Sequence, residues 1–220
     1  MTSRWRQGGV YAITADLTDT ALLLDRAGQV LDAGVCLLQY RNKQATAELR
    51  AQQAKELLAL CRASSVPLII NDDWRLAAEL GADGVHLGGE DGDVALARQA
   101  LGAQAIIGAS CYDELSRARA AVTSGASYVA FGAFFASRTK PLARTCGLDV
   151  LQAAADLGVP RVAIGGITPD NAGPLVEAGA DMLAVISGIV DADDPAAAVR
   201  AYARHFTRPG ASTAPNNASE

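Results

Sequence analysis

The sequence of 220 residues has little of several residue types on which common protein classes depend. It contains two histidines, 5% aromatic residues and only three lysines among its 19 basic residues. The formal net charge of −5 argues against a nucleic-acid partner, because binding to a phosphate backbone needs a cationic face. Since lysine is rare, the positions of Lys43, Lys55 and Lys140 are informative.

The sequence also lacks the cysteine spacing of a disulfide scaffold or a zinc cluster. The four cysteines are Cys36, Cys61, Cys111 and Cys146. They form no C-x-x-C pair, and only His86 and His205 are available as imidazole ligands. The chain has no apolar run of about 18 residues and no signal-peptide pattern. We therefore expect a cytoplasmic protein with no membrane partner.

Half of the residues are hydrophobic, and short apolar runs alternate with longer stretches of helical periodicity. The predicted strands are Val10–Thr14, Val35–Gln39, Pro67–Asn71, Gly84–Leu87, Ile106–Ser110, Tyr128–Gly132, Arg161–Gly165 and Met182–Ile186. The runs are continuously apolar, which is typical of parallel strands covered on both faces. Thr46–Cys61 shows the clearest helical spacing. Glycines such as Gly34 and Gly179 mark the junctions from helix to strand.

Eight strand-and-helix units in a chain of this length predict an α/β fold, a single (β/α)8 TIM barrel over residues 1–206. A doubly wound open sheet is the alternative, but the first strand is not followed by the G-x-G-x-x-G turn of a dinucleotide fold. Residues 207–220 are polar and without periodicity, so we predict a disordered tail.

In such barrels the chemistry lies at the carboxyl ends of the strands. After the second strand, Gln39, Arg41 and Lys43 occupy alternate positions, so in an extended chain their side chains point to the same side. An amide, a guanidinium and an ammonium together favour an anion and hydrogen-bond site. The alternative interpretation is a solvated loop.

Carboxylates follow the third and fourth strands. Asp72 and Asp91 are placed to share a Mg²⁺ ion, which prefers a few carboxylates together with water and substrate phosphate oxygens. The alternative for Asp72 and Asp73 is capping of the next helix, and Asp93 is better placed than Asp91 to cap the helix after it. We interpret His86, inside a strand, as a packed core histidine and not as a metal ligand.

The fifth and sixth strands lead to two further candidate regions. Ser110 ends the fifth strand, and helix capping is its alternative role. A long loop after the sixth strand carries Ser137, Thr139 and Lys140, and loops of this length in compact barrels are more often lids or binding loops than connectors.

Glycines follow the last two strands. Gly165-Gly166 and Ser187-Gly188 allow backbone N–H groups to approach a ligand, as in the usual phosphate site of (β/α)8 barrels. The alternative is close packing of strand on helix. Together with the site after the second to fourth strands, this indicates two phosphorylated substrates. One of them would be a diphosphate whose departure is assisted by Mg²⁺ and lysine.

The order of these motifs is that of one family. They are Gln39-x-Arg41-x-Lys43, Asn71-Asp72, Gly81 to Gly88 with Glu90-Asp91, Gly108-x-Ser110, Ser137-x-Thr139-Lys140, Gly165-Gly166-Ile167 and Ile186-Ser187. From Tyr11 to about Phe206 the chain resembles the thiamine phosphate synthases. The resemblance implies a transferase that joins hydroxymethylpyrimidine diphosphate to thiazole phosphate, or its carboxylate, and releases pyrophosphate.

The resemblance also implies roles for individual residues. The pyrimidine diphosphate would be held by Gln39, Tyr40, Arg41, Asn42, Lys43, Asn71, Ser110 and Lys140. The thiazole phosphate would be held by Ser137, Arg138, Thr139, Gly166, Ile186 and Ser187. Asp72 and Asp91 would bind one Mg²⁺ per subunit. The residues with a catalytic role would be Arg41, Lys43, Ser110 and Lys140.

The chain departs from the family pattern at a few positions. Gly89 stands where a glutamine is usual, and Ala133 and Ala136 replace prolines of the long loop. Ser137 replaces a threonine, and Arg138 is bulkier than the usual residue. These changes bear on loop rigidity and rate more than on the type of reaction.

Two other functions remain as alternatives. A related thiazole tautomerase would need neither the two aspartates nor Lys140, and a non-catalytic sensor of phosphorylated ligands would need only the glycine-rich half. The presence of both halves favours the synthase. A barrel this compact is expected to self-associate, although the sequence shows no interface signature.

Overall fold

The computed structural model describes residues 4–89, 92–136 and 145–206 and forms a closed barrel of eight parallel strands. The strands are β1 (Gly9–Ile13), β2 (Leu37–Tyr40), β3 (Leu68–Asn71), β4 (Gly84–Leu87), β5 (Ile106–Tyr112), β6 (Tyr128–Phe131), β7 (Arg161–Ile164) and β8 (Met182–Val185). Each strand pairs with the next, and β8 closes on β1 with Tyr11 opposite Ala184. The predicted (β/α)8 barrel is confirmed.

Helices alternate with the strands and cover the outside of the barrel. They are α1 (Thr20–Asp32), α2 (Ala47–Ala63), α3 (Trp74–Leu80), α4 (Val94–Leu101), α5 (Leu115–Thr123), α6 (Asp149–Ala153), α7 (Gly173–Glu177), α8 (Ser187–Val190) and α9 (Pro195–Ala203). Asp73 caps α3 by accepting from Leu76 N at 2.9 Å, and Asp93 caps α4 in the same way. Within the described ranges, no helix is long and apolar enough to cross a membrane.

Two strands differ from their predicted bounds by two residues at one end, and five others differ by one residue at one or both ends. β2 begins at Leu37, two residues later than predicted, because the chain is still turning at Gly34, whose φ is +92°. β5 continues to Tyr112, with a register shift between Ser110 and Tyr112 against β6. Ser110 therefore lies within a strand and does not cap the next helix.

Side chains alternate across the barrel wall and form two buried layers. The outer layer lies between strands and helices and includes Leu38, Val85 and Leu183. The inner layer fills the lumen and includes Tyr11 and Tyr128. This alternation decides which strand residues face the lumen, whose upper end borders the strand ends where such barrels bind their ligands. Residues 207–220, predicted as a tail, lie outside the described residues.

Candidate active site

The loop after β2 is held by two residues that follow β1. Thr14 Oγ1 accepts from Arg41 N at 2.8 Å and donates to Arg41 O at 2.9 Å. Asp16 accepts from Lys43 N at 2.8 Å and forms an ion pair with Arg41 at 3.0 Å. Asp16 was missed by the sequence interpretation, although an acidic residue just beyond the end of β1 was a usable signal.

Lys43 connects the β2 loop to the end of β3. Its Nζ lies 3.4 Å from Asp72 Oδ2, and the same oxygen accepts from Asn71 Nδ2 at 2.6 Å. Asp72 has a φ of +62°, a conformation that aspartate tolerates better than most residues, and its N–H bonds to His86 O. The tight turn and the neighbouring donors hold one carboxylate at the rim of the barrel. Asp73, in contrast, is committed to capping α3.

The three alternating residues of the β2 motif lie at the same end of the barrel but at different depths. Gln39 is 2% exposed and belongs to the lumen, where its Nε2 donates to Tyr11 Oη at 2.7 Å. Arg41 and Lys43 lie on the rim beyond the strand, with side chains 28% and 56% exposed. Two cations and a buried amide thus border one opening, which suits a ligand with an anionic and a heterocyclic part.

The residues between them face the other way. Tyr40 donates to Gln53 Oε1 on α2 at 2.8 Å, and Asn42 donates to the same oxygen at 3.1 Å and to Leu17 O at 2.7 Å. Asn42 Oδ1 also accepts the N–H groups of Gln44 and Ala45. Both side chains therefore support the loop from the outer layer. The structure does not bring them to the barrel opening with Arg41 and Lys43.

A line of hydrogen bonds crosses the lumen below this opening. Tyr11 Oη lies 2.8 Å from Tyr128 Oη, which lies 3.0 Å from His86 Nδ1. His86 Nε2 lies 2.9 Å from Ser110 Oγ. His86 is a packed core histidine, as predicted, but it also connects to a candidate site residue. The two tyrosines were missed, although polar residues at inward positions of otherwise apolar strands were a usable signal.

On the opposite side of the barrel, after β7, the candidate site consists of backbone and not of charged side chains. Gly165 and Gly166 have φ values of +104° and +63°. A Cβ on Gly166 would lie 2.6 Å from the carbonyl oxygens of both Phe135 and Ala136. Asn171 Nδ2 donates to Gly166 O at 3.1 Å and holds the turn. Only glycine fits this position, because conformation and space both exclude a side chain.

The end of β8 leads directly into the short helix α8. Ile186 precedes the helix, and its carbonyl oxygen accepts from Ile189 N and Val190 N at 3.1 and 3.0 Å. Ser187 is exposed at this end of the barrel, next to Gly188. A Cβ on Gly188 would lie 2.4 Å from Tyr202 Oη, so close packing requires this glycine. Gly166, Ile186 and Ser187 thus follow adjacent strands of the barrel.

Several predicted residues lie outside the described residues. They are Asp91, Ser137, Arg138, Thr139 and Lys140. Within the described part of the chain, no group of three or more histidine, cysteine, aspartate or glutamate residues is placed to hold a metal ion. Asp72 is the predicted metal ligand whose position is described.

Gly89, one of the departures from the family pattern, lies against the side chains of Tyr112 and Arg117. Its carbonyl oxygen accepts from Arg117 NH1 at 3.3 Å, and the Arg117 guanidinium lies 5.3 Å from the centre of the Tyr112 ring. A Cβ on Gly89 would lie 2.6 Å from the Tyr112 ring and 2.8 Å from Arg117. A larger residue at position 89 would therefore displace the outer ends of the Tyr112 and Arg117 side chains.

The cysteines do not supply a ready nucleophile. All four are buried, and none of them forms a disulfide. Burial raises the pKa of Cys61 and Cys111 to about 12, and burial raises that of Cys146 to about 11. These three thiols therefore stay protonated at neutral pH.

Comparison with known proteins identifies relatives that share one described activity. The family described as "Thiamine monophosphate synthase" matches residues 10–189. The thiamine-phosphate synthase of Xanthomonas campestris pv. campestris is 59% identical over 200 residues, which cover 91% of this chain and 96% of the relative. That of Chromobacterium violaceum is 56% identical over 201 residues, with 91% and 97% covered.

Solved structures of other proteins superpose on this barrel. A thiamine phosphate pyrophosphorylase from Pyrococcus furiosus superposes with a TM-score of 0.81 at 30% identity, covering 92% of this chain and 96% of that one. A 3-hexulose-6-phosphate synthase superposes with a TM-score of 0.67 at 22% identity and shares the fold.

Proposed function

The chain belongs to the thiamine monophosphate synthase family and is a transferase of thiamine biosynthesis, and we propose how its residues perform the reaction. The substrates are 4-amino-2-methyl-5-hydroxymethylpyrimidine diphosphate and the thiazole phosphate or its carboxylate. The products are thiamine phosphate and pyrophosphate. The observation that carries this assignment is the placement of the Lys43–Asp72 ion pair and the Gly165–Gly166 turn at the same end of the barrel, where two phosphorylated substrates can meet.

The pyrimidine diphosphate binds at the ends of β2 to β5. Gln39 and Ser110 contact the heterocycle from the lumen, and Arg41 and Lys43 bind the diphosphate at the rim with Lys140. Asn71 fixes the Asp72 carboxylate beside them. Tyr40 and Asn42 contribute by supporting the loop through Gln53, since their side chains lie in the outer layer.

Asp72 and Asp91 are the proposed ligands of one Mg²⁺. The residues fit this ion, because Asp72 offers hard carboxylate oxygens at the rim, beside cations that would also bind a diphosphate. When bound, Mg²⁺ neutralises part of the negative charge that grows on the leaving diphosphate. Lys43 currently pairs with Asp72 and can turn to the diphosphate when the substrate occupies the site.

The thiazole phosphate binds at the ends of β7 and β8. Gly166, Ile186 and Ser187 surround the phosphate, and the loop residues Ser137, Arg138 and Thr139 complete its site. Gly165 and Gly166 are required because the segment after β6 lies where their side chains would be. The backbone N–H groups of this turn are the proposed donors to the phosphate oxygens.

The protein's task is alignment and charge stabilisation. The bond between the pyrimidine methylene carbon and the diphosphate oxygen breaks, and its electron pair leaves with the diphosphate. Arg41 and Lys140 stabilise that charge, and the thiazole nitrogen forms the new bond to the methylene carbon. No covalent enzyme intermediate is required, which agrees with the high pKa of the buried thiols.

We propose further that the enzyme works in the cytoplasm, needs no nucleic-acid or membrane partner and self-associates. Buried cysteines without disulfides suit a reducing compartment. Light scattering coupled to size exclusion measures the oligomeric state, and a monomer at micromolar concentration would refute self-association.

The decisive assay combines purified protein, Mg²⁺ and both substrates. Thiamine phosphate and pyrophosphate should appear in equal amounts, and chelation of Mg²⁺ should stop their formation. Aromatisation of the thiazole without coupling would indicate a tautomerase. Binding of either substrate without turnover would indicate a sensor, and both outcomes would refute the proposal.

A further inference from the structure

Five side chains form one continuous line of hydrogen bonds across the barrel lumen. In order they are Gln39, Tyr11, Tyr128, His86 and Ser110, joined by contacts of 2.7, 2.8, 3.0 and 2.9 Å. The line begins and ends at the two proposed contacts to the pyrimidine ring. Its three middle members are at most 9% exposed. The described structure thus connects two ligand-facing groups through the interior.

The orientation of the Gln39 amide sets the direction of the hydrogen bonds in this line, because each tyrosine hydroxyl has one proton to donate. Burial raises the pKa of both tyrosine hydroxyls, so each keeps one proton to donate. Gln39 Nε2 donates to Tyr11, and either hydroxyl of the Tyr11–Tyr128 pair can be the donor between them. We take Tyr11 as the donor, because Tyr11 then uses its one proton within the line. Tyr128 then donates to His86 Nδ1, which leaves the imidazole proton on Nε2 to be donated to Ser110 Oγ.

This direction determines what the two ends offer to a ligand. Gln39 gives one of its two amide protons to Tyr11 and keeps Oε1 as an acceptor. Ser110 accepts from His86 and keeps its own proton to donate. An acceptor at one wall and a donor at the other match the exocyclic amine and a ring nitrogen of an aminopyrimidine.

We propose that Tyr11, Tyr128 and His86 are positioning residues that hold the Gln39 amide in one orientation and thereby make the site select an amino-pyrimidine over an oxo-pyrimidine. The inference rests on the proposed function. A 4-oxo ring would place a carbonyl oxygen against Gln39 Oε1, and the amide cannot turn to accommodate it unless all four hydrogen bonds reverse.

Packing holds Tyr128 in the line. Its ring stacks on His86 with the centroids 5.6 Å apart and meets Tyr11 edge-on at 5.8 Å. Gly108 leaves the space for it, because a Cβ there would lie 2.0 Å from Tyr128 Cζ. In the Gly108-x-Ser110 motif, the Tyr128 ring requires glycine at position 108, and Ser110 is positioned by its hydrogen bond to His86.

The test compares two buried tyrosines that each lose only a hydroxyl. Tyr128→Phe interrupts the line, whereas the control Tyr202→Phe removes a bond to Ile167 O in the outer layer. For each enzyme, kcat and KM are measured with the pyrimidine diphosphate and with its 4-oxo analogue. The ratio of the two kcat/KM values is the selectivity, which a general loss of stability does not change.

We expect Tyr128→Phe to raise KM for the amino substrate about tenfold and to lower the selectivity about tenfold, the size expected for one hydrogen bond. Tyr202→Phe should leave the selectivity unchanged. Equal selectivity in all three enzymes would overturn the inference while leaving the proposed function intact. A wild-type protein that makes no thiamine phosphate would overturn both. If Tyr128→Phe does not fold, Tyr11→Phe interrupts the line at the next bond.

A second measurement needs no substrate. Nitrogen-15 NMR of the wild-type imidazoles should show His86 with its proton on Nε2 and a bare Nδ1. The chain has two histidines, so the variant His205→Gln assigns the signals. A proton on His86 Nδ1 would overturn the inference, because the line would then run in the opposite direction.

Discussion

The two halves of the candidate site are built by different means. At the ends of β2 and β3, side chains form it: Arg41 and Lys43 pair with Asp16 and Asp72. At the ends of β7 and β8, backbone forms it, around Gly166. Removing a charge should therefore damage the first half without unfolding it, whereas adding atoms should damage the second half through its packing.

The largest effect is expected from Asp72→Asn. Asparagine tolerates the positive φ of this position, so the change removes mainly the charge. We expect kcat/KM to fall at least about 100-fold, as for loss of a metal ligand. Steady-state kinetics over a range of Mg²⁺ concentrations measures the loss and should show that a higher Mg²⁺ concentration is needed for half-maximal activity.

Asp73→Asn is the matched control, because asparagine caps a helix as well as aspartate. Its activity should stay within about twofold of the wild type. Equal losses at positions 72 and 73 would mean that turn geometry, and not the carboxylate, matters.

Gly166→Ala should disturb the half of the candidate site that the backbone forms at the ends of β7 and β8. The added Cβ would meet two carbonyl oxygens at 2.6 Å, so we expect KM for the thiazole phosphate to rise about 30-fold and the free energy of unfolding to fall by about 2 kcal/mol. Kinetics and thermal unfolding measure both. Gly158→Ala has a similar φ of +71° but open space around the Cβ, so its KM should not change. An unaltered KM in Gly166→Ala would remove this turn from the site.

Asp16→Asn tests the support of the side-chain half. Asparagine keeps the shape but loses the charge that positions Arg41, and we expect KM for the pyrimidine diphosphate to rise about tenfold with little change in stability. Asp156→Asn, which breaks an exposed pair with Arg119, is the control for a general charge effect. Matching KM values in both variants would contradict a role for Asp16.

Tyr40→Phe should have the smallest effect on catalysis. It removes the hydroxyl bonded to Gln53, which we expect to cost about 1 kcal/mol of unfolding free energy. KM for the pyrimidine diphosphate should change less than about twofold, because loop support is shared with Asn42. A large rise in KM would instead make Tyr40 a substrate contact, as the family resemblance implies.

Much of the fold could be predicted because the strands are short and apolar and most of them follow a glycine. Alternation also predicted side-chain direction: Arg41 and Lys43 lie at the opening, whereas Tyr40 and Asn42 both turn away from it to Gln53. Alternation does not predict depth, and Gln39 is buried in the lumen while Arg41 and Lys43 lie on the exposed rim.

The sequence by itself determined the number of strand-and-helix units, the close-packing glycines and the supply of polar residues at the strand ends. Those features depend on local conformation and on periodicity. The tertiary structure alone decided the partners: Arg41 with Asp16, and Tyr11 with Tyr128 across 117 residues of chain. Closure of the barrel brings β1 and β6 to face each other across the lumen. No sequence pattern within either strand predicts that these two tyrosines meet.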